Sequence, residues 1–124
     1  MATIKSYTDL SQSKTLSKIL PLESADMRFC FSHTLDGRIT GHYPMIGREP
    51  SLGTIPCWSL VALLDVLPYK FVYNHYLTLY KEGSKEYCCC CEDVNGNGFA
   101  YNFADNPIDV CYEMILKLYE LKML

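Results

Sequence analysis

The chain has 124 residues, 49% of them hydrophobic and 20% charged, with a formal net charge of −3. This length and apolar share suffice for one core without disulfide or metal staples, and the interspersed charges offer no broad basic face to neutralise a nucleic-acid backbone. Met1 to Leu20 alternates polar and apolar residues rather than forming a secretory signal, and no stretch is long enough to span a bilayer. The seven cysteines therefore read as reduced thiols of a cytoplasmic protein, and the expectation is a single domain over 1–124.

Thr8 or Asp9 can cap an amphipathic helix over about 9–20, with Leu10, Leu16, Ile19 and Leu20 on one side and Pro21 as its stop. Two β-rich runs, Met27–His33 and Arg38–Tyr43, flank Asp36-Gly37, a strong hairpin signal. With Asp36 and Gly37 as the two central residues, Leu35 pairs with Arg38, His33 with Thr40 and Phe31 with His42. Pro44 to Thr54 carries Gly47, Arg48, Pro50 and Gly53 and reads as a loop, a common location for function. Ile55 to Pro68 follows, with the sole tryptophan inside an apolar run between two prolines. Pro56 suits the first turn of a helix and Pro68 forbids its continuation, so this reads as a short, buried central helix.

Aromatic and β-branched residues then dominate. Tyr69 to Tyr80 reads as one strand with a break at Asn74-His75, Glu86 to Cys91 as the next, and Phe99 to Phe103 as a third beyond the Asn95-Gly96 turn. Asn106-Pro107 supplies a cap and a first-turn proline for a C-terminal helix, in which Ile108, Cys111, Tyr112, Ile115, Leu118 and Tyr119 recur at helical spacing. The fold class is therefore α+β: a small antiparallel sheet, hairpin plus meander, packed with an N-terminal, a buried central and a C-terminal helix.

Four consecutive cysteines, Cys88–Cys91, would alternate faces on a strand and cannot close a tetrahedron around one ion, so packing is favoured over metal binding. Cys57 at a helix start would feel the positive end of the dipole, yet no base is placed beside it. A small hydrophobe beside Trp58 is the favoured reading. His33 and His42 share a hairpin face in the expected register, where a metal or proton-carrying role competes with plain surface decoration. Neither a catalytic residue, a metal nor a cofactor is expected. Ten of the sixteen aromatic residues are tyrosines, whose flat apolar body and polar tip suit binding surfaces as well as sheets.

Three phrases resemble a family of small, uncharacterised proteins carried by phages and mobile elements of gut Bacteroides-type bacteria. They are Leu20-Pro21-Leu22-Glu23-Ser24-Ala25-Asp26-Met27; Ile55-Pro56-Cys57-Trp58-Ser59-Leu60 with Ala62-Leu63-Leu64 and Leu67-Pro68; and Asp105-Asn106-Pro107-Ile108-Asp109 with Glu113-Met114-Ile115. The resemblance implies a bacterial cytoplasm and an accessory gene, and it assigns no site. The expectation is a non-catalytic binding protein that engages a host protein. The alternatives are an oligomeric protein that sequesters a small polar ligand such as a nucleotide signal, and a small cysteine-dependent enzyme. The binding set expected from charge and aromatic character is Arg28, His33, Arg38, His42, Arg48, Trp58, Tyr73 and Tyr76.

Overall fold

A computed structural model describes residues 5–47 and 53–124. Its contacts divide the chain into two compact units: one gathers the described residues of 1–6 with Leu63–Leu124, the other those of Tyr7–Ala62. Helices and two antiparallel sheets of three and four strands make the fold α+β.

The Tyr7–Ala62 unit opens on helix α1, Leu10–Leu16, with a full capping box: Asp9 accepts the Gln12 N–H at 2.8 Å and the Gln12 side chain accepts the Asp9 N–H at 3.1 Å. The helix ends short of the expected residue 20. Thr15 and Ser17 hydroxyls bond back to the carbonyls of Ser11 and Lys14, and the backbone tightens into three-residue turns at Lys18 and Ile19.

Strand β1, Met27–His33, lies between β2, Ile39–Ile46, and β3, Ile55–Cys57. The expected pair Phe31 with His42 is present, but the turn differs. Thr34 N–H donates to Arg38 and Gly37 N–H to Thr34, so the loop has three residues, Leu35-Asp36-Gly37, with Gly37 left-handed at φ +89. A register shift at Ser32/His33 then pairs His33 with Ile39 instead of Thr40.

The largest correction concerns Ile55 to Pro68. Its first three residues form a strand, not a helix start: Ile55 pairs with Phe29, Pro56 with Arg28 and Cys57 with Met27. On an edge strand Pro56 turns its missing N–H away from the ladder, which costs no more than it would in a first helical turn. Helix α2 is only Leu60–Val66, and with Val61 and Asp65 exposed it is amphipathic rather than covered all round.

Cys57-Trp58-Ser59, between strand and helix, is held from both sides. Thr8 N–H donates to the Trp58 carbonyl at 2.9 Å, and Trp58 N–H donates to the Thr8 hydroxyl at 3.1 Å. Asp26 accepts the Ser59 N–H at 2.9 Å and the Ser59 hydroxyl, while that hydroxyl accepts the Ala62 N–H at the start of α2. Trp58 is fully buried and its indole N–H donates to the Ser24 hydroxyl at 3.0 Å. Burying a ring of this size contributes on the order of 2–3 kcal/mol, provided the indole N–H keeps a partner.

The second unit carries a four-stranded meander, β4 Lys70–Phe71, β5 His75–Lys81, β6 Tyr87–Glu92 and β7 Gly98–Ala104, in sequential order, then helix α3, Pro107–Glu120. The expected single strand with a break is instead a complete reversal, with Lys70 pairing with Tyr76 and Phe71 with His75. The 93–97 turn repeats the first hairpin's device: Asp93 and Asn97 close a three-residue loop in which Gly96 has φ +83. Asn106 caps α3 by accepting the Asp109 N–H at 2.8 Å, and Asp109 pairs with Lys5 at 2.7 Å. Ile108, Cys111, Met114, Ile115 and Leu118 form its buried stripe.

Replacing Asp26→Ala removes a charged acceptor from two donors at the head of α2. It should lower unfolding stability by about 2 kcal/mol, read as a shifted midpoint in urea denaturation followed by circular dichroism.

Candidate functional site

Cross-strand partners share a face of a sheet, which sorts the meander into two chemically different sides. On one side lie Phe71, His75, Leu77, Leu79, Cys89, Cys91, Phe99 and Asn102. Helix α3 covers this side: Cys111 hydrogen-bonds with Cys89, and the Asn102 amide reaches Met114 Sδ at 3.2 Å. On the other side lie Lys70, Tyr76, Thr78, Tyr80, Cys88, Cys90, Glu92 and Phe103.

Tyr101 lies on this second side by plain alternation from Asn102, and the bulge beyond it turns Phe99 to the first side. Cys89 pairs with Asn102 and Cys91 with Phe99, so Ala100 and Tyr101 together face Cys90, with Ala100 left-handed at φ 56. The Tyr101 hydroxyl then lies against Gly98, where a Cβ would come within 2.6 Å of it. Cys88 and Cys90 are fully buried, whereas Tyr76, Tyr101 and Phe103 remain 38%, 42% and 51% exposed. Tyr69 is exposed with its ring 6.4 Å from that of Tyr76, and the Lys70 ammonium is 6.0 Å from the same ring.

Tyr73 stands in the 72–74 turn that reverses the chain between β4 and β5. It is 88% exposed with φ 59 and ψ 34, and Asn74 also has φ 59. Two left-handed residues make a mirror-image tight turn, which asparagine tolerates and tyrosine resists. His75 Nδ1 sits 3.1 Å from the carbonyls of both Val72 and Tyr73, a geometry that places the proton on Nδ1 and ties the turn together. Beside it, Pro68, Lys70, Phe71, Val72, Lys122 and Met123 line an open groove of about 560 Å³.

Of the residues expected to bind, Arg28, His33, Arg38, His42 and Trp58 belong to the Tyr7–Ala62 unit and Tyr73 and Tyr76 to the other. Arg28 is half-buried on the central strand β1, its Nε without a partner among the described residues. Arg38 is exposed and pairs with Asp36 at 3.0 Å, and hydrogen bonds from Thr34 and Arg38 hold the Asp36 carboxyl below its usual range. His33 is exposed at the end of β1, whereas His42 lies edge-on to Phe29, centroids 5.4 Å apart, and tilted against Phe31 at 6.4 Å. Arg48 falls outside the described residues. Trp58 is a core residue rather than a contact surface. Of the expected set Tyr76 lies on the aromatic face and Tyr73 in the adjoining turn, while Tyr69, Tyr101 and Phe103 were outside that set.

The thiols are environments for packing. Cys57 lies on β3, fully buried, and burial pushes its pKa up, the opposite of an activated helix-start nucleophile. The hydrogen bond with Cys111, with burial, holds Cys89 far above its usual range, while Cys111 is lowered by the same bond. Burial raises Cys90 and pushes Cys91 up to about 11. Among the described residues no group of three or more His, Cys, Asp or Glu side chains could hold a metal ion, and no helix is long and apolar enough to cross a membrane.

Comparison with known protein families, characterised proteins and solved structures gives no match.

In native protein at neutral pH, iodoacetamide should label Cys30, the one half-exposed thiol, well before the six buried ones, as peptide mass spectrometry of a time course would report. Tyr73→Gly should raise unfolding stability by about 1 kcal/mol, because glycine accepts the left-handed turn without the steric cost borne by tyrosine.

Proposed function

We propose that this chain is a non-catalytic accessory protein of a phage or mobile element that binds a host protein through the aromatic surface of its meander. The observation that carries the reading is the clustering of Tyr69, Tyr73, Tyr76, Tyr101 and Phe103, all exposed, around one sheet face and its adjoining turn. Tyrosine gives much contact area for few frozen rotors and keeps a hydroxyl for the partner, which is why such residues recur as interface anchors. Lys70 and Glu92 add charge of both signs on the same face, suited to a polar rim.

The burial of six of the seven thiols gives no support to the cysteine-dependent enzyme. Sequestration of a small anion has one favourable observation, the groove carrying Lys70 and Lys122. Neither Arg28 nor Arg38, expected of a nucleotide site, is among the residues that line it.

The test compares the wild-type chain with a Tyr76→Ser/Phe103→Ser variant, each tagged and recovered from bacterial host cells, with the partner then purified for titration. A host protein retained by the wild type should bind the variant at least about tenfold more weakly. Equal binding by both would overturn the aromatic surface as the contact. A native mass spectrum showing a retained small anion and no host protein would shift the assignment to sequestration.

A further inference from the structure

Strand β2 is an edge of the three-stranded sheet, and over all eight residues, Ile39-Thr40-Gly41-His42-Tyr43-Pro44-Met45-Ile46, it carries no Asp, Glu, Lys or Arg. Ile39, Tyr43, Met45 and Ile46 are 65%, 46%, 41% and 86% exposed. Edge strands are ordinarily blunted by charge, and a long, uncharged, apolar edge is a template for another strand.

The hydrogen-bond parity of β2 is determined by the structure. Gly47 N–H donates to the Asp26 carbonyl, so Asp26 with Gly47 is a hydrogen-bonded pair, and alternation makes Arg28 with Met45 and Cys30 with Tyr43 hydrogen-bonded too. Phe29 with Pro44 and Phe31 with His42 are then the open pairs. The backbone groups of His42, Pro44 and Ile46 accordingly point away from β1, toward the edge that pairs with no strand among the described residues, and Pro44 supplies only a carbonyl there.

We infer that this edge pairs with the same edge of a second copy of the chain, antiparallel, with Pro44 opposite Pro44 on the two-fold axis. Three properties select this occupant and this register. First, an antiparallel pair is self-complementary, and the uncharged strand lets two chains of net charge −3 meet without like charges facing across the seam. Second, centring on Pro44 places both missing donors in one pair, while His42 opposite Ile46 of the second copy exchanges both backbone bonds, and does so twice by symmetry. Centring on Tyr43 would instead set Pro44 against His42 and spoil two pairs. Third, the chosen register places exposed Tyr43 directly opposite exposed Met45 of the second copy at the open pairs, where side chains approach closest and sulfur packs favourably on an aromatic ring. The seam lies in the Tyr7–Ala62 unit and uses none of the residues proposed to bind a host protein, and the inference stands independently of that reading.

The experiment is analytical ultracentrifugation of the full chain in reducing buffer, with circular dichroism to confirm that each variant is folded. Wild type should be a dimer at about 100 μM. Tyr43→Lys and Met45→Glu should each weaken association at least about tenfold. The double variant sets the introduced ammonium at position 43 against the introduced carboxylate at position 45 of the other copy. It should recover most of the association at low salt and lose it again at high salt. A monomeric wild type overturns the inference, as does a dimer indifferent to both single changes. Failure of the double variant to recover, with both singles folded and monomeric, overturns the Pro44-centred register.

Discussion

The Tyr7–Ala62 unit depends on three consecutive residues, Cys57-Trp58-Ser59, whose backbone polar groups are claimed by partners far away in sequence. Thr8 closes a two-way backbone and hydroxyl bond on Trp58, and Asp26 takes both donors of Ser59. The constraint is one of satisfaction. Trp58, Thr8, Ser13 and Cys57 are all fully buried, so each polar atom among them must find a protein partner or forfeit its hydration. The Thr8 hydroxyl meets Ser13 at 2.8 Å, donates to the Cys57 sulfur at 3.7 Å and receives the Trp58 N–H, so one side chain ties α1 to the end of β3. Such a network rewards one arrangement only, because a half-made version leaves buried donors stranded.

The second unit solves a different problem. Its sheet has one face closed by α3 and another that retains aromatic rings at the surface, with thiols packed beneath both. Cysteine serves here as a small hydrophobe that permits close approach from either side. The run Cys88–Cys91 thus lets β6 be buried on both faces, and the larger tyrosines flank it on β5 and β7. Binding surface and core are consequently alternate residues of the same strands, which is why the aromatic face inherits the rigidity of the sheet rather than the freedom of a loop.

Local chemistry made part of this fold legible and left part of it hidden. Asn106-Pro107 announces the start of α3 because cap and first-turn proline act on the chain that carries them, and the glycines at 37 and 96 announce their turns for the same reason. The strand at Ile55–Cys57 was not readable. Pro56 is as acceptable on an edge strand as in a first helical turn, and only pairing with Met27–Phe29 decides between them. The reversal at 72–74 was hidden too, since Tyr73 is among the residues least expected in a left-handed turn and nothing nearby is glycine. For the site, Tyr76 and Tyr80 share a face by the plain alternation of β5. Tyr101 follows the same alternation on β7, whereas the turn of Phe99 to the α3 side depends on a bulge at Ala100 that periodicity does not show.

The bulk of the cysteine content lies on β6, while the helix that shuts over one of its faces comes later in the chain. During synthesis the thiols of Cys89 and Cys91 therefore emerge from the ribosome before α3 exists to cover them. For that interval they are as open to oxidants as thiols of an unfolded chain, and docking of α3 ends the exposure. Folding acts here as chemical protection that is completed late.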